Sequence, residues 1–309
     1  LLIINSPEEY PLNFRNLTTL LKTCHQKAFE VQVGLICYNG RFLPGSEPIF
    51  TADNRSFRYG DGCFETMKVY QGQVLLSDLH FERLATSMNR LHFDVPLNFT
   101  KDYFTGLITE LCARNGLSRL ARVRLTVFRS NGGFYDPVDN TPNFIIQSAE
   151  LTRRIFELNE DGLTIDVFPD ARKSCDKLSS IKSNNCLAYV MASMYARQNQ
   201  LDEAILLNHH NRIADTTIAN LFVVRDGQIM TPPLSEGGVC GVMRKHLLRT
   251  ELPFKLEEYP LSITDLEKAD EIFLTNAIYG IRWVGRFRNN RYGNAAATIL
   301  HEVLFEGVI

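Results

Sequence analysis

The sequence predicts an α+β fold, and three observations predict it. Segments of two-residue and of helical periodicity are mixed, without the strict β–α–β alternation that a parallel sheet demands. Tight-turn signals recur: Asn39-Gly40 lies between Val33-Gly-Leu-Ile-Cys-Tyr38 and Arg41-Phe-Leu-Pro44, and Gln71-Gly72 separates two further strand-like runs. The length of 309 residues, with 45% apolar and 22% charged content, suffices for one large or two modest domains with a sizeable core.

Taken in order, residues 1–32 read as an N-terminal extension in which Leu17, Leu20, Leu21 and Cys24 share one helical face. Residues 33–150 form a first domain. It opens with the hairpin at Asn39-Gly40 and continues with a second, Phe64-Glu-Thr-Met-Lys-Val-Tyr70 followed by Gln73-Val-Leu-Leu-Ser77. A helix is expected over 77–91, with Leu79, Arg83, Leu84 and Met88 on one side, and another over 101–115. Strands at 121–128 and 143–149 flank a glycine-rich loop, 129–137. Residues 151–160 read as a linker, and 161–309 as a second domain.

In that second domain a strand over 163–168 precedes a helix that runs to about Gln198. Ser183, Asn184 and Asn185 are placed to cap it, with Leu187, Val190, Met191 and Met194 as its buried face. Strands follow at 203–208 and 221–224, and a glycine-led helix opens near Val242. A last strand, Glu271-Ile-Phe-Leu-Thr275, leads into a closing helix.

Net charge near −2 gives no reason to expect nucleic acid or an anionic membrane as partner. No apolar run is long enough to span a bilayer, and the N-terminal residues lack the layout of a signal peptide. The first residue is Leu1 rather than methionine, which points to a processed or trimmed start. Seven scattered cysteines with no Cys-x-x-Cys pair argue against a disulfide framework and against zinc, and the histidines form no ligand cluster in sequence, His209-His210 being expected in a turn. A cytoplasmic, metal-free protein is expected.

One lysine stands out. Lys182, in Leu178-Ser-Ser-Ile-Lys182, sits at the mouth of the apolar helix, an odd place for a solvated charge. Further on come Arg212-Ile-Ala-Asp-Thr-Thr-Ile-Ala-Asn-Leu-Phe222 and Gly237-Gly-Val-Cys-Gly-Val-Met-Arg244. In that order and spacing the three segments resemble the class IV aminotransferases. That family uses pyridoxal 5'-phosphate and includes branched-chain and D-amino-acid aminotransferases and aminodeoxychorismate lyase. The resemblance spans roughly Val33 to Val284. It implies a two-domain fold-type IV architecture similar to D-amino-acid aminotransferase, with a smaller N-terminal α/β domain and a larger, β-barrel-like C-terminal domain with helices. It also implies a small-molecule amino substrate and a homodimer.

The resemblance assigns roles residue by residue. Lys182, followed by Asn185, matches the lysine that holds the cofactor's aldehyde; a lysine beside apolar surface loses its charge readily. Asp215 stands where the family has a glutamate on the pyridine nitrogen, one methylene shorter. Backbone N–H groups of Val242 and Met243, at a helix start, would meet the phosphate, as would Arg83 in His80-Phe-Glu-Arg-Leu84. Ala277 occupies the usual position of a phosphate-binding threonine, leaving Thr275, Asn276 or the Ala277 amide to serve instead.

Branched-chain members carry a tyrosine at the position of Cys186, and D-amino-acid members an Arg-x-His trap in the loop at 129–137, which holds no histidine here. By contrast Phe57-Arg-Tyr-Gly-Asp-Gly-Cys-Phe-Glu-Thr66, Arg129-Ser-Asn-Gly-Gly-Phe-Tyr135 and Thr275-Asn-Ala277 look like aminodeoxychorismate lyase. Arg129 and Tyr135 are then expected on the substrate carboxylate, with Tyr59 and Thr66 lining the pocket. The leading expectation is a lyase that makes 4-aminobenzoate and pyruvate. The alternatives are an amino-acid aminotransferase, branched-chain ahead of D-amino acid, and a non-catalytic ligand-binding homologue.

Overall fold

The computed structural model describes residues 34–152 and 156–305. The helical face expected at Leu17–Cys24 lies outside these residues. The chain folds as a two-domain α+β structure, a smaller N-terminal domain and a larger C-terminal half-barrel sheet with helices, as expected.

The first sheet has six antiparallel strands in the order β2-β1-β6-β5-β3-β4. These are β1 (Leu35–Tyr38), β2 (Arg41–Pro44), β3 (Gly62–Tyr70), β4 (Gln73–Val74), β5 (Leu120–Arg129) and β6 (Pro142–Glu150). Both tight turns form, with positive φ at Asn39 and Gly40 and at Gln71 and Gly72. A short helix, α1 (Arg55–Tyr59), precedes β3 and is capped by the Asn54 side chain, which accepts from Phe57 N. Two long helices, α2 (Ser77–Arg90) and α3 (Lys101–Arg114), cover one face. Each carries an aspartate in its first turn and an arginine in its last, as the helix dipole favours.

Alternation along the strands sets the two faces of this sheet. Met67, Val69, Val123, Leu125 and Val127 pack with Phe81, Leu84, Met88, Phe104 and Ile108 of the helices. Phe64, Thr66, Arg122 and Arg124 therefore point the other way, and cross-strand pairing puts Thr66 opposite Arg124.

The second sheet has nine strands in the order β12-β11-β10-β13-β14-β7-β8-β9, with β15 paired to β14. They are β7 (Leu163–Val167), β8 (Glu203–Leu207), β9 (Ile213–Thr216), β10 (Asn220–Arg225), β11 (Gln228–Thr231), β12 (Lys255–Glu258), β13 (Glu271–Asn276), β14 (Gly280–Phe287) and β15 (Asn290–Arg291). It is mixed: β7 runs parallel to both β8 and β14. The remaining helices are α4 (Leu187–Gln198), α5 (Val242–Arg249), α6 (Ile263–Glu267) and α7 (Ala295–Phe305). Phe222, Phe273 and Ile281 pack beneath Leu247 of α5 and Ala296, Ala297 and Leu300 of α7, while Leu221, Val223, Ile272 and Leu274 fill the opposite face.

Two expectations fail here. The segment after β13 is not a helix at once: Gly280, at φ 72°, turns the chain into β14, and the closing helix starts only at Ala295. The face of α4 expected to be buried is also the wrong one. Ala192 and Ala196 pack on Phe168, Ala204 and Leu206, whereas Leu187, Val190, Met191 and Met194 are 68, 48, 45 and 40% exposed. The helix carries two apolar stripes, and the small one lets its backbone approach β8 closely. No side chain caps α4, so Ser183, Asn184 and Asn185 do not serve as its cap. No helix among the described residues is long and apolar enough to cross a membrane, and Cys37, Cys63, Cys112, Cys175, Cys186 and Cys240 are free thiols.

Candidate active site

Between the two sheets, the connection from β7 to α4 carries Lys182 and is sewn to β3 by backbone bonds. Phe64 N donates to Lys182 O at 2.9 Å, and Asn184 N to Gly62 O at 2.9 Å. The approach requires glycine: a Cβ at Gly62 would meet Asn184 Nδ2 at 2.6 Å. Lys182 Nζ lies 4.6 Å from the centroid of the Phe64 ring and has no hydrogen-bond or ion-pair partner among the described residues. Burial, with the Arg83 guanidinium adding repulsion, brings this amine down to about 8.

Two residues of the glycine loop before α5 tie the other motifs together. Val239 N donates to Asp215 Oδ2 at 2.9 Å, and Val239 O accepts from Asn220 Nδ2 at 2.9 Å. Cys240 N donates to Ser180 O at 3.0 Å, and Cys240 O accepts from Arg83 Nη1 at 2.8 Å. Glycine is needed here too, because a Cβ at Gly241 would overlap Asn220 Oδ1 at 1.7 Å. Val242 and Met243 follow as the first residues of α5, whose N-terminus has no side-chain cap. Lys182, Asp215, Arg83, Val242 and Met243 thus converge on one loop.

Asp215 is buried on β9. Its Oδ2 accepts from Tyr189 Oη at 2.8 Å and lies 3.7 Å from Lys173 Nζ, while Oδ1 is buried with no partner. Burial pushes this carboxyl up, and Lys173, the Val239 N–H and Tyr189 offset part of that push. Tyr189 and Lys173, which also bond to each other, were not found from the sequence. The available signal was spacing: Tyr189 lies three residues after Cys186, on the same side of the chain as the tyrosine that position lacks.

Arg83 is more heavily engaged than expected. Nε and Nη2 both donate to Glu65, with Nε to Oε1 at 2.7 Å and Nη2 to Oε2 at 2.5 Å, and His80 Nδ1 lies 2.6 Å from Oε2. Burial alone would raise Glu65, but the charge and hydrogen bonds of Arg83 hold it at about 2. One N–H of Nη1 and one of Nη2 are left over.

The expected substrate arginine is misplaced. Arg129 is buried and donates from Nε to Asp61, from Nη1 to Asn140 Oδ1 at 2.6 Å and from Nη2 to Leu91 O at 2.6 Å. These bonds anchor the base of its loop and engage most of its N–H groups. Tyr135 is 89% exposed beside Tyr59, ring centroids 5.6 Å apart. Asn276 caps its own turn, its Oδ1 accepting from Ile278 N and Tyr279 N, which uses the acceptor and fixes the amide. Thr275 is buried, its Oγ1 unpartnered, directly across from Asn220 in the sheet.

Arg122 and Arg124 lie on the same sheet face as Phe64. The Arg124 guanidinium sits 3.6 Å from the centroid of the same Phe64 ring that Lys182 overlies. Its Nε donates to Thr126 Oγ1 at 3.2 Å. Neither arginine has a carboxylate partner among the described residues, and burial lowers both.

The profile of the Amino-transferase class IV family matches residues 62–287. A provisionally named branched-chain-amino-acid aminotransferase of Methanocaldococcus jannaschii is 31% identical over 265 residues, 83% of this chain and 90% of that one. An aminodeoxychorismate lyase of Vibrio harveyi is 30% identical over 232 residues, 74% and 83% of the respective chains. Among solved structures, a branched-chain aminotransferase of Thermoproteus uzoniensis superposes with a TM-score of 0.80 at 24% identity, covering 89% of this chain and 94% of the other.

Proposed function

This chain belongs to the class IV amino-transferases and is a pyridoxal-phosphate-dependent enzyme, and from that premise we propose that it is an aminotransferase working on a dicarboxylic amino donor of the glutamate class and a branched-chain 2-oxo acid. The observation that carries the dicarboxylate half is Arg124, which has no carboxylate partner among the described residues and shares the Phe64 ring with Lys182, with Arg122 two residues back on the same strand. The branched-chain half rests on the relatives of that name.

The residues fit the cofactor. Asp215 Oδ1 is a buried acceptor waiting for a donor, which the protonated pyridine nitrogen provides. Lys182 offers an unbonded amine, and the uncapped start of α5 with the remaining N–H groups of Arg83 suits a phosphate. When bound, pyridoxal phosphate supplies an electron sink for the substrate's α-carbon. We assign the chain's own work as follows. Arg124, backed by Arg122, binds substrate carboxylate. Lys182 Nζ takes the α-proton and returns it. Asp215, steadied by Tyr189 and Lys173, holds the positive charge on the ring nitrogen. Phe64 separates Lys182 from Arg124 and keeps water from the amine. Thr66, opposite Arg124, and Tyr59 line the same cleft.

A second reading has its own support. Cys186 stands where branched-chain members carry tyrosine, and the Vibrio harveyi lyase is as similar as the first relative. Its substrate, aminodeoxychorismate, is also a dicarboxylic amine. The purified, cofactor-loaded chain is assayed with glutamate and a branched-chain oxo acid, and separately with aminodeoxychorismate and no oxo acid, Lys182→Ala being the control. Formation of 2-oxoglutarate in the first assay supports the aminotransferase. Pyruvate release in the second, with the first silent, replaces it by the lyase.

We also propose a homodimer that buries the exposed stripe Leu187, Val190, Met191 and Met194 of α4. Met191→Glu is then expected to give monomers in sedimentation. A dimer that persists unchanged removes α4 from the interface.

A further inference from the structure

A second cluster of ligand-type side chains lies outside the cleft. Cys175 Sγ and ring nitrogens of His209 and His210 all sit within 4.8 Å of one another. We propose that these three side chains bind a thiophilic divalent metal ion of the zinc class, with water completing a four-coordinate shell.

Sequence spacing separates Cys175 from His209-His210, but the parallel pairing of β7 with β8 brings together the loops that leave their C-terminal ends. The histidines occupy the β8–β9 turn, and this turn is rigid. Asn208 is fully buried; its Nδ2 donates to Glu236 Oε2 at 2.6 Å, and its Oδ1 accepts from His210 N at 2.9 Å and Arg212 N at 3.0 Å. Arg212 Nε closes the frame on Glu236 Oε2 at 2.6 Å.

Cys175 is set against this frame. Lys173 N donates to Leu207 O at 2.9 Å, and Gly237 lies so near that a Cβ there would be 3.7 Å from Cys175 Sγ. The two imidazoles are exposed, with ring centroids 4.0 Å apart and tilted by 48°, and neither makes a hydrogen bond among the described residues. Histidines adjacent in a chain ordinarily diverge; here the turn aims both at one thiol. The Glu236 carboxylate, paired with Arg212, holds the turn that carries both histidines through Asn208.

Coordination replaces the Cys175 S–H bond by a sulphur–metal bond, with the proton released to solvent, while the histidines bind through neutral nitrogens. The ion would clamp the β7–α4 connection, which carries Lys173 and Lys182, to the turn behind Asp215.

The test dialyses the full, cofactor-loaded chain against micromolar zinc and measures metal content and zinc-edge X-ray absorption. One zinc per chain is expected, with one sulphur at ~2.3 Å and two nitrogens at ~2.0 Å. Cys175→Ser and, separately, His209→Gln are each expected to weaken binding about tenfold or more. A shell without sulphur, no retained zinc, or unchanged affinity in either variant overturns the site.

Discussion

Tyr189 and Asp215 are joined by a 2.8 Å hydrogen bond from the phenol to Oδ2, which leaves Oδ1 as the carboxylate's one free, buried oxygen. The bond fixes which oxygen faces the cofactor. Asp215→Asn is expected to cut turnover by on the order of a hundredfold or more, with cofactor still bound, because an amide cannot balance a ring charge. Tyr189→Phe leaves the Val239 N–H and Lys173 in place and is expected to cost about 1 kcal/mol, or ~5-fold in kcat. Steady-state kinetics on both variants checks the order; equal losses would sever Tyr189 from Asp215.

Lys182 gives a pH prediction. An amine brought down to about 8 is protonated below that value and neutral above it, so its nucleophilic form grows as pH rises through 8, not through 10.5. The rate at which the cofactor-free chain takes up pyridoxal phosphate is therefore expected to rise with pH and level off above about 8. A plateau already reached at pH 6, measured by stopped-flow absorbance, contradicts the lowered value.

Arg124 separates substrates by charge. Arg124→Gln removes a charge-assisted contact worth about 1.5–3 kcal/mol, so KM for a dicarboxylic donor is expected to rise roughly 10- to 100-fold. A donor with a single carboxylate should be affected far less. Equal effects on both kinds of donor would place Arg124 elsewhere in the reaction.

Arg129 should matter for stability. Its guanidinium is spent on Asp61, Asn140 and Leu91, and Arg55 Nε still holds Asp61 at 2.8 Å once it is gone. Arg129→Ala is expected to lose about 3 kcal/mol of unfolding free energy, at the low end for a broken buried pair. KM in the properly folded fraction should stay near that of the unaltered chain. Urea denaturation and kinetics on one preparation distinguish this from a substrate-binding role.

Much of this was legible in the residues themselves. Asn39-Gly40 and Gln71-Gly72 fixed two hairpins because few other pairs tolerate their φ angles. Lys182, Asp215 and the Gly237–Arg244 loop were visible as motifs, and they do meet. What was hidden depends on partners distant in sequence. Arg129 looked free until Asp61 and Leu91 came round to it, and Arg124 looked like one polar residue in an alternating strand until Phe64 brought it beside Lys182. The burial of α4 was misjudged because hydrophobicity ranks Leu187 and Met191 above Ala192 and Ala196, whereas close packing on β8 ranks them by size.

The two backbone bonds that sew the Lys182 segment to β3 make the reactive amine a property of the whole fold. They join residues more than a hundred positions apart, so they carry the loop-closure cost of a long-range contact that the rest of the fold must offset. In an unfolded chain Lys182 returns to water and to an ordinary lysine pKa near 10.4, where it is almost wholly protonated at neutral pH and reacts more slowly. Fast aldehyde capture by Lys182 thereby belongs to the folded chain, where burial has already removed much of the cost of losing the proton.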